Sequence, residues 1–363
     1  MLMGSRLGVV VLSDSGYELY YDHWAAQTIG IDIVVDGFAA TLERVRGMQP
    51  MGIDTPAEWS GASWIEGSLL IDLTRKRVVW AEESDYVYLP RIVNHLVEHT
   101  WPGWTAIWSA EGVRGVLRLA EVDPATIFPV APVSQRPAEN VKWLAPWSEH
   151  EGYGALSVQF EDGRVIAWRS SCFLDEVAEL GPAAIRSVAE ETQARGAAGE
   201  PVLWDRQPRG EHPDLGVHVN FGTKTARWWG LGDNDVQIDA FDALWPGWSV
   251  ETVGDAFELH EAIVGRPMRD WAADVVATQR IIQTMMQKGP RENPMIHLAA
   301  LMADQGEAIE INSSALRFKA ASDFRGAQAA VSALDDLYAS QPLPPARIVN
   351  RHGRIFIPEL GQV

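Results

Sequence analysis

The chain reads as an α+β protein made by tandem duplication of hairpin-helix units, with antiparallel sheets backed by helices and a C-terminal α+β extension. Three observations predict this. The tetrapeptide Trp101-Pro102-Gly103-Trp104 returns as Trp245-Pro246-Gly247-Trp248, an offset of 144 (245 minus 101). Three hairpins share one pattern of alternation, and the same order of elements recurs on both sides of a proline-bearing stretch.

The elements follow in order. Leu7 to Leu12 and Tyr17 to Tyr21 are apolar, strand-like runs joined by Ser13-Asp14-Ser15-Gly16, a hairpin signal. A third strand-like run, Ile31 to Val35, ends at Asp36-Gly37, and Phe38 to Arg46 reads as a short amphipathic helix. Met48 to Ser63 is rich in turn residues. Leu69, Ile71 and Leu73 alternate into a turn at Thr74 to Arg77, and Val78 to Trp80 return. The same pattern appears at Leu156, Val158 and Phe160 with Val165 to Trp168, and at Val217, Val219 and Phe221 with Ala226 to Trp229. Period-two alternation puts one face of each hairpin on a core.

Each half then carries a helix that runs into the repeated tetrapeptide, Leu89 to His99 in the first and Val236 to Leu244 in the second. Proline displaces the residue before it from helical angles and glycine accepts angles closed to others, so the helix must stop there. Thr105 to Trp108 and Ser249 to Val253 leave as strands. The first half closes with a segment of no clear type, the second with a helix over Asp255 to Val264; a longer helix covers Phe173 to Arg195.

These elements divide the chain into a first half, 1–123, a linker, 124–147, a second half, 148–266, and an extension, 267–363. The linker is marked by prolines 124, 129, 132, 137 and 146 and by its lack of periodicity. In the extension, helices are expected over Met268 to Gln287, Pro294 to Ala303 and Ser322 to Ser340. Hairpins are expected around Asn312-Ser313-Ser314 and, from Ile348 to Ile357, around Arg351-His352-Gly353.

Composition narrows the function classes. A formal charge of −19, from 30 Lys and Arg against 49 Asp and Glu, repels phosphate backbones and anionic lipid, so neither nucleic acid nor membrane is an expected partner. A basic protein would be attracted. The single Cys172 leaves no internal disulfide, which fits a reducing cytoplasm, and its apolar surroundings suit an inert thiol. No apolar run reaches membrane-spanning length, and Met1 to Val11 is too short for a secretory signal.

Sixteen tryptophans exceed ordinary usage several-fold. At the two corners Trp101, Trp104, Trp245 and Trp248 either pack beneath the turn or present an aromatic platform; Trp143 and Trp147 stand in the linker, where burial is less assured. As a binding set, these six among carboxylates suit a partner rich in Arg and Lys.

The sharpest local motif is His95-Leu96-Val97-Glu98-His99, which spells the H-x-x-E-H pattern of inverzincin metallopeptidases. Residues four apart share a helix face, so His95 and His99 can reach one zinc ion with Glu98 beside them as general base and Glu176, 77 positions on (176 minus 99), as third ligand. Against that, Trp101-Pro102 cuts the helix two residues later, and the matching helix of the second half carries Asp239 and Ala243 at these places. Phosphate-loop, dinucleotide, calcium-loop and nucleophile-elbow patterns are not present in register. Three function classes remain: a cytoplasmic, acidic protein-binding protein, for instance an immunity-type or antitoxin-like inhibitor of a basic partner that needs no cofactor; a zinc-dependent hydrolase using Glu98, His95, His99 and Glu176; or a small-ligand binder with its ligand in the cleft between the halves.

Overall fold

A computed structural model describes residues 5–51, 65–82, 87–128, 144–145, 154–170, 174–197, 213–231, 241, 244–289, 293–306, 311, 316, 324–339, 343–350 and 352–359. Among these residues the protein is α+β, with eight helices and two mixed sheets. It divides into two compact units. Unit 1 comprises 1–129 and 271–356, and unit 2 comprises 130–270 and 357–363.

In unit 1, β1 (Leu7–Ser13) and β2 (Gly16–Asp22) form the first hairpin, followed by α1 (Ile29–Arg46) and the short β3 (Gln49–Pro50). The second hairpin is β4 (Gly67–Asp72) with β5 (Arg77–Ala81), followed by α2 (Pro90–Thr100), β6 (Thr105–Ser109) and α3 (Gly112–Leu119). Antiparallel pairing is confined to the hairpins and to β2 with β3. Between hairpins the pairing is parallel, β1 with β4 and β5 with β6, because a helix carries the chain back across the sheet. The expectation of antiparallel sheets is thereby corrected to mixed sheets.

One face of this sheet is aliphatic, with Val10, Leu70, Val79 and Ile107 packed against Val113, Val116 and Leu117 of α3. On the other face Trp80 touches α1 at Gly30, where a Cβ would lie 2.7 Å from the indole, and donates to Asn94 Oδ1 of α2 at 3.3 Å.

Residues 31–35 are helical, not a strand. All of Ile29 to Gly37 is buried, Asp32 and Asp36 included, and its β-branched run imitates a buried strand. The helix is broken instead at Gly37, whose φ of 70° and ψ of 176° are open essentially to glycine alone. The break exposes carbonyls inside the core. Ile33 accepts from Trp101 Nε1 at 2.8 Å, and Val35 accepts from the Gly326 amide at 2.8 Å. A buried ion pair, Arg44 Nε to Asp36 Oδ2 at 2.8 Å, ties the two halves of α1 together, with Asp32 at 3.7 Å from Arg44 Nη1.

Unit 2 has β7 (Gly154–Gln159), β8 (Val165–Ser170), α4 (Leu174–Ala197), β9 (Leu215–Asn220), β10 (Thr225–Gly230), β11 (Ser249–Thr252) and α5 (Glu258–Val264). Its strand order, β11-β10-β9-β7-β8, is that of β6-β5-β4-β1-β2 in unit 1, with the same parallel and antiparallel senses. Helix α4 is broken at Gly181, with φ 77° and ψ 170°, which lies 144 positions after Gly37 (181 minus 37). Trp245 Nε1 donates to the carbonyl of Ala178 beside this break at 3.0 Å. The helix expected over Val236 to Leu244 falls mostly outside the described residues.

The extension does not stand by itself. Helices α6 (Trp271–Lys288) and α8 (Ala327–Ala339) belong to unit 1, where α8 packs on α1, α2 and α6. Strand β12 (Ile348–Val349) runs parallel beside β6 and turns into β13 (Ile355–Phe356), extending the sheet to eight strands. Between α6 and α8 in the chain, α7 (Pro294–Asp304) carries Ile296 and Leu301 exposed. The hairpin expected around Asn312 to Ser314, the bulk of the linker, and Cys172 lie outside the described residues.

Candidate functional site

Both tetrapeptides form the expected helix-to-strand corner, and they do so in the same way. Trp104 N donates to the Trp101 carbonyl and Trp248 N to that of Trp245, each at 3.0 Å, while Gly103 and Gly247 adopt φ of 79° and 80°. Proline followed by a left-handed glycine is the signature of a type II turn. The indoles meet edge to face, with ring centroids 5.2 Å apart for Trp101 and Trp104 and 5.1 Å for Trp245 and Trp248.

Their roles divide. Trp101 and Trp245 are fully buried and occupy their N–H groups inside the core, so their surfaces do not reach a partner. Trp104 and Trp248 are partly exposed, each seated on a phenylalanine: Trp104 on Phe38 at 4.6 Å and Trp248 on Phe221 at 5.2 Å. Phe221 also carries the Arg186 guanidinium 4.1 Å from its centroid. Trp143 and Trp147 fall outside the described residues.

His95 and His99 lie on α2 with ring centroids 4.9 Å apart, as their spacing implies. His95 faces α8. Burial, with His99 next, lowers its pKa from the ordinary imidazole value, and the backbone of Ala333 and the carboxylates of Glu98 and Asp336 oppose that shift. Glu98 points to Arg347, with Oε1 3.0 Å from Nη1. Glu176 is buried on α4, which belongs to unit 2, whereas the histidine pair belongs to unit 1. Among the described residues no group of three His, Cys, Asp or Glu side chains is placed to hold a metal ion.

A second polar assembly, which sequence reading missed, lies in unit 2 on the sheet face covered by α5. Trp229 Nε1 donates to His260 Nδ1 at 2.8 Å, His260 Nε2 lies 3.0 Å from Ser157 Oγ, and Ser157 Oγ lies 2.8 Å from His218 Nδ1. An indole N–H only donates, so His260 accepts on Nδ1 and carries its proton on Nε2. That proton faces Ser157 Oγ, which shares its other hydrogen bond with His218 Nδ1.

Serine beside histidine has the form of a nucleophile with its base. Here, however, Ser157 and His260 are 0 % exposed, and the indole of Trp229 closes the layer with them. Gly216 makes room for that indole, since a Cβ there would lie 2.4 Å from ring atoms. The arrangement holds elements together.

The corresponding layer of unit 1 shows what the fold itself requires. Val10 pairs with Leu70 and Leu70 with Val79, as Ser157 pairs with His218 and His218 with Arg227. Aliphatic side chains suffice to close the sheet in one unit, and imidazoles replace them in the other. The signal available in the sequence was that Ser157 and His218 occupy the same odd-face place in two hairpins of one grammar.

No protein-family model, curated protein or solved structure matches the chain. Its functional reading therefore rests on its own chemistry.

Proposed function

We propose that this chain is an acidic protein-binding protein, a duplicated α+β scaffold that docks a basic protein partner in the cytoplasm; an immunity-type or antitoxin-like inhibitor is its concrete form. The observation that carries the reading is the charge of −19, which favours encounter with a cationic surface and disfavours nucleic acid. Two features add to it. Trp104 and Trp248 are partly exposed beside the corners, and Phe221, in the same aromatic group as Trp248, already accommodates an arginine. A partner's Arg or Lys on Trp104 or Trp248 would repeat that contact.

Duplication is supported by the shared strand order and by the 144-residue offset that carries both the tetrapeptide and the helix-breaking glycine. The test is capture from native host extract, followed by calorimetric titration of the identified protein at rising salt. A basic ligand whose affinity falls with ionic strength, and falls at least about tenfold in Trp104→Ala or Trp248→Ala, is the expected result. Salt-insensitive binding, or binding untouched by both substitutions, would overturn it.

A further inference from the structure

We propose that the Trp229, His260, Ser157 and His218 chain is an acid-sensitive latch that holds α5 against the sheet of unit 2 and releases it when the two imidazoles take up protons. It does not depend on what the protein binds.

The geometry gives the latch its direction. The indole donates to His260 Nδ1, the Nε2 proton of His260 faces Ser157, and Ser157 shares the third hydrogen bond with His218. A proton added to His260 must go to Nδ1, where it confronts the indole N–H that the nitrogen was accepting. A charged His218 donates from Nδ1, so the serine oxygen accepts from both imidazoles and its own proton loses that acceptor. The first event breaks a bond, and either one places a charge in a layer that excludes water.

The charged groups around the layer are few and can be named. Strand β7 offers none. Arg169 of β8 is buried, and Arg227 of β10 pairs across the ladder with His218 and lies 3.8 Å from Glu251 of β11. Helix α5 itself carries Glu258 and Glu261, the latter accepting from the Met268 amide at 2.8 Å, and the buried Asp255 precedes it. Burial first, then Arg227, holds His218 down to about 4; burial first, then His218, holds His260 down to about 3, opposed by the backbone of Val217.

The sign follows. An imidazole released to water titrates near its ordinary value of 6.5, so the open form binds more protons than the closed form below that pH. Closure is complete above about 6.5 and is lost progressively as pH falls towards the two depressed values. Each histidine multiplies the open-to-closed ratio by about ten per pH unit, and the pair by about a hundred. Unit 1 has Val10 and Leu70 at the corresponding places of this layer, which do not titrate.

The experiment is hydrogen exchange of the full chain, resolved by peptide, between pH 7 and pH 4.5 and corrected for the intrinsic pH dependence of amide exchange. Peptides covering 254–266 and 215–220 should open about a hundredfold more per pH unit below 6.5, ahead of those covering β1 and β4. In His260→Gln the amide still accepts from Trp229 and donates to Ser157 without titrating, so the slope should fall to about tenfold. In the double variant His218→Asn/His260→Gln it should vanish. A wild-type slope below about tenfold, or a double variant as steep as wild type, would sink the latch. Should the double variant fail to fold, the imidazole resonances of the wild-type protein decide: both must stay neutral until α5 opens, and either one titrating near 6.5 in the folded state overturns the proposal.

Discussion

Trp101 donates its indole N–H to the carbonyl of Ile33 at 2.8 Å, inside the core of unit 1, four residues before Gly37 breaks α1. Trp245 does the same for Ala178 beside the break at Gly181. The first tryptophan of each corner is thus a cap for a broken helix as well as an anchor for a turn. Trp101→Phe keeps an aromatic ring but strands the carbonyl, and burying an unsatisfied acceptor costs about 1–3 kcal/mol. The urea midpoint of unit 1 should fall by that free energy divided by an unchanged m-value, and Trp245→Phe should act likewise on unit 2. A variant as stable as wild type would show that the hydrogen bond contributes nothing.

The two glycines allow a matched comparison. Both hold backbone angles that other residues avoid, so Gly37→Ala and Gly181→Ala should each lose about 1–3 kcal/mol. Their surroundings differ. A Cβ at Gly37 would lie 3.2 Å from the Thr100 carbonyl, while one at Gly181 meets nothing within 4 Å. Chemical denaturation should therefore rank Gly37→Ala as the more damaging, and the reverse order would contradict this packing.

What could be read from the sequence, and what could not, divides along physical lines. The hairpins were legible because one face of each is buried and period two survives in the residues themselves. The corners were legible because Pro and Gly act locally. Helix α3 was not, since Gly112 and Gly115 erase its propensity, and Gly115 is there for packing: a Cβ would overlap the Ser109 hydroxyl. Residues 31–35 misled because, in a helix buried on all sides, the β-branched run outweighs the short stripe of Asp32 and Asp36 that carries its period. The latch was invisible for a different reason. Ser157, His218, Trp229 and His260 come from four elements, and only the sheet register and the placement of α5 bring them together.

Arg44 and Asp36 are both almost wholly enclosed, so their ion pair is a structural commitment that one-sided removal exposes. Arg44→Met leaves Asp36 and the nearby Asp32 without their cation in a dry site and should cost about 3–5 kcal/mol. Replacing both partners, as in Asp36→Leu with Arg44→Met, removes the buried charges and should recover most of that loss. Thermal unfolding of the two variants measures the difference. Equal destabilisation would mean that the pair is worth more than an apolar substitute.

His95 separates a structural role from a metal-binding one. Its Nε2 is buried with no hydrogen-bond partner among the described residues, while the neighbouring Glu98 is engaged by Arg347. An unpaired buried nitrogen destabilises, so His95→Leu should leave unit 1 as stable as wild type or up to about 1 kcal/mol more stable. It should also remove a share of the acid sensitivity of unit 1. Burial lowers the folded-state pKa of His95 below 6.5, so its contribution is intact above that value and is lost as pH falls through the depressed one. A zinc ligand would behave in the opposite manner: His95→Leu would release a stoichiometric ion and lower the melting temperature. Elemental analysis of the purified wild-type and variant proteins, set beside their melting curves at pH 7 and pH 5, decides between the two outcomes, and we expect neither a metal loss nor a fall in stability.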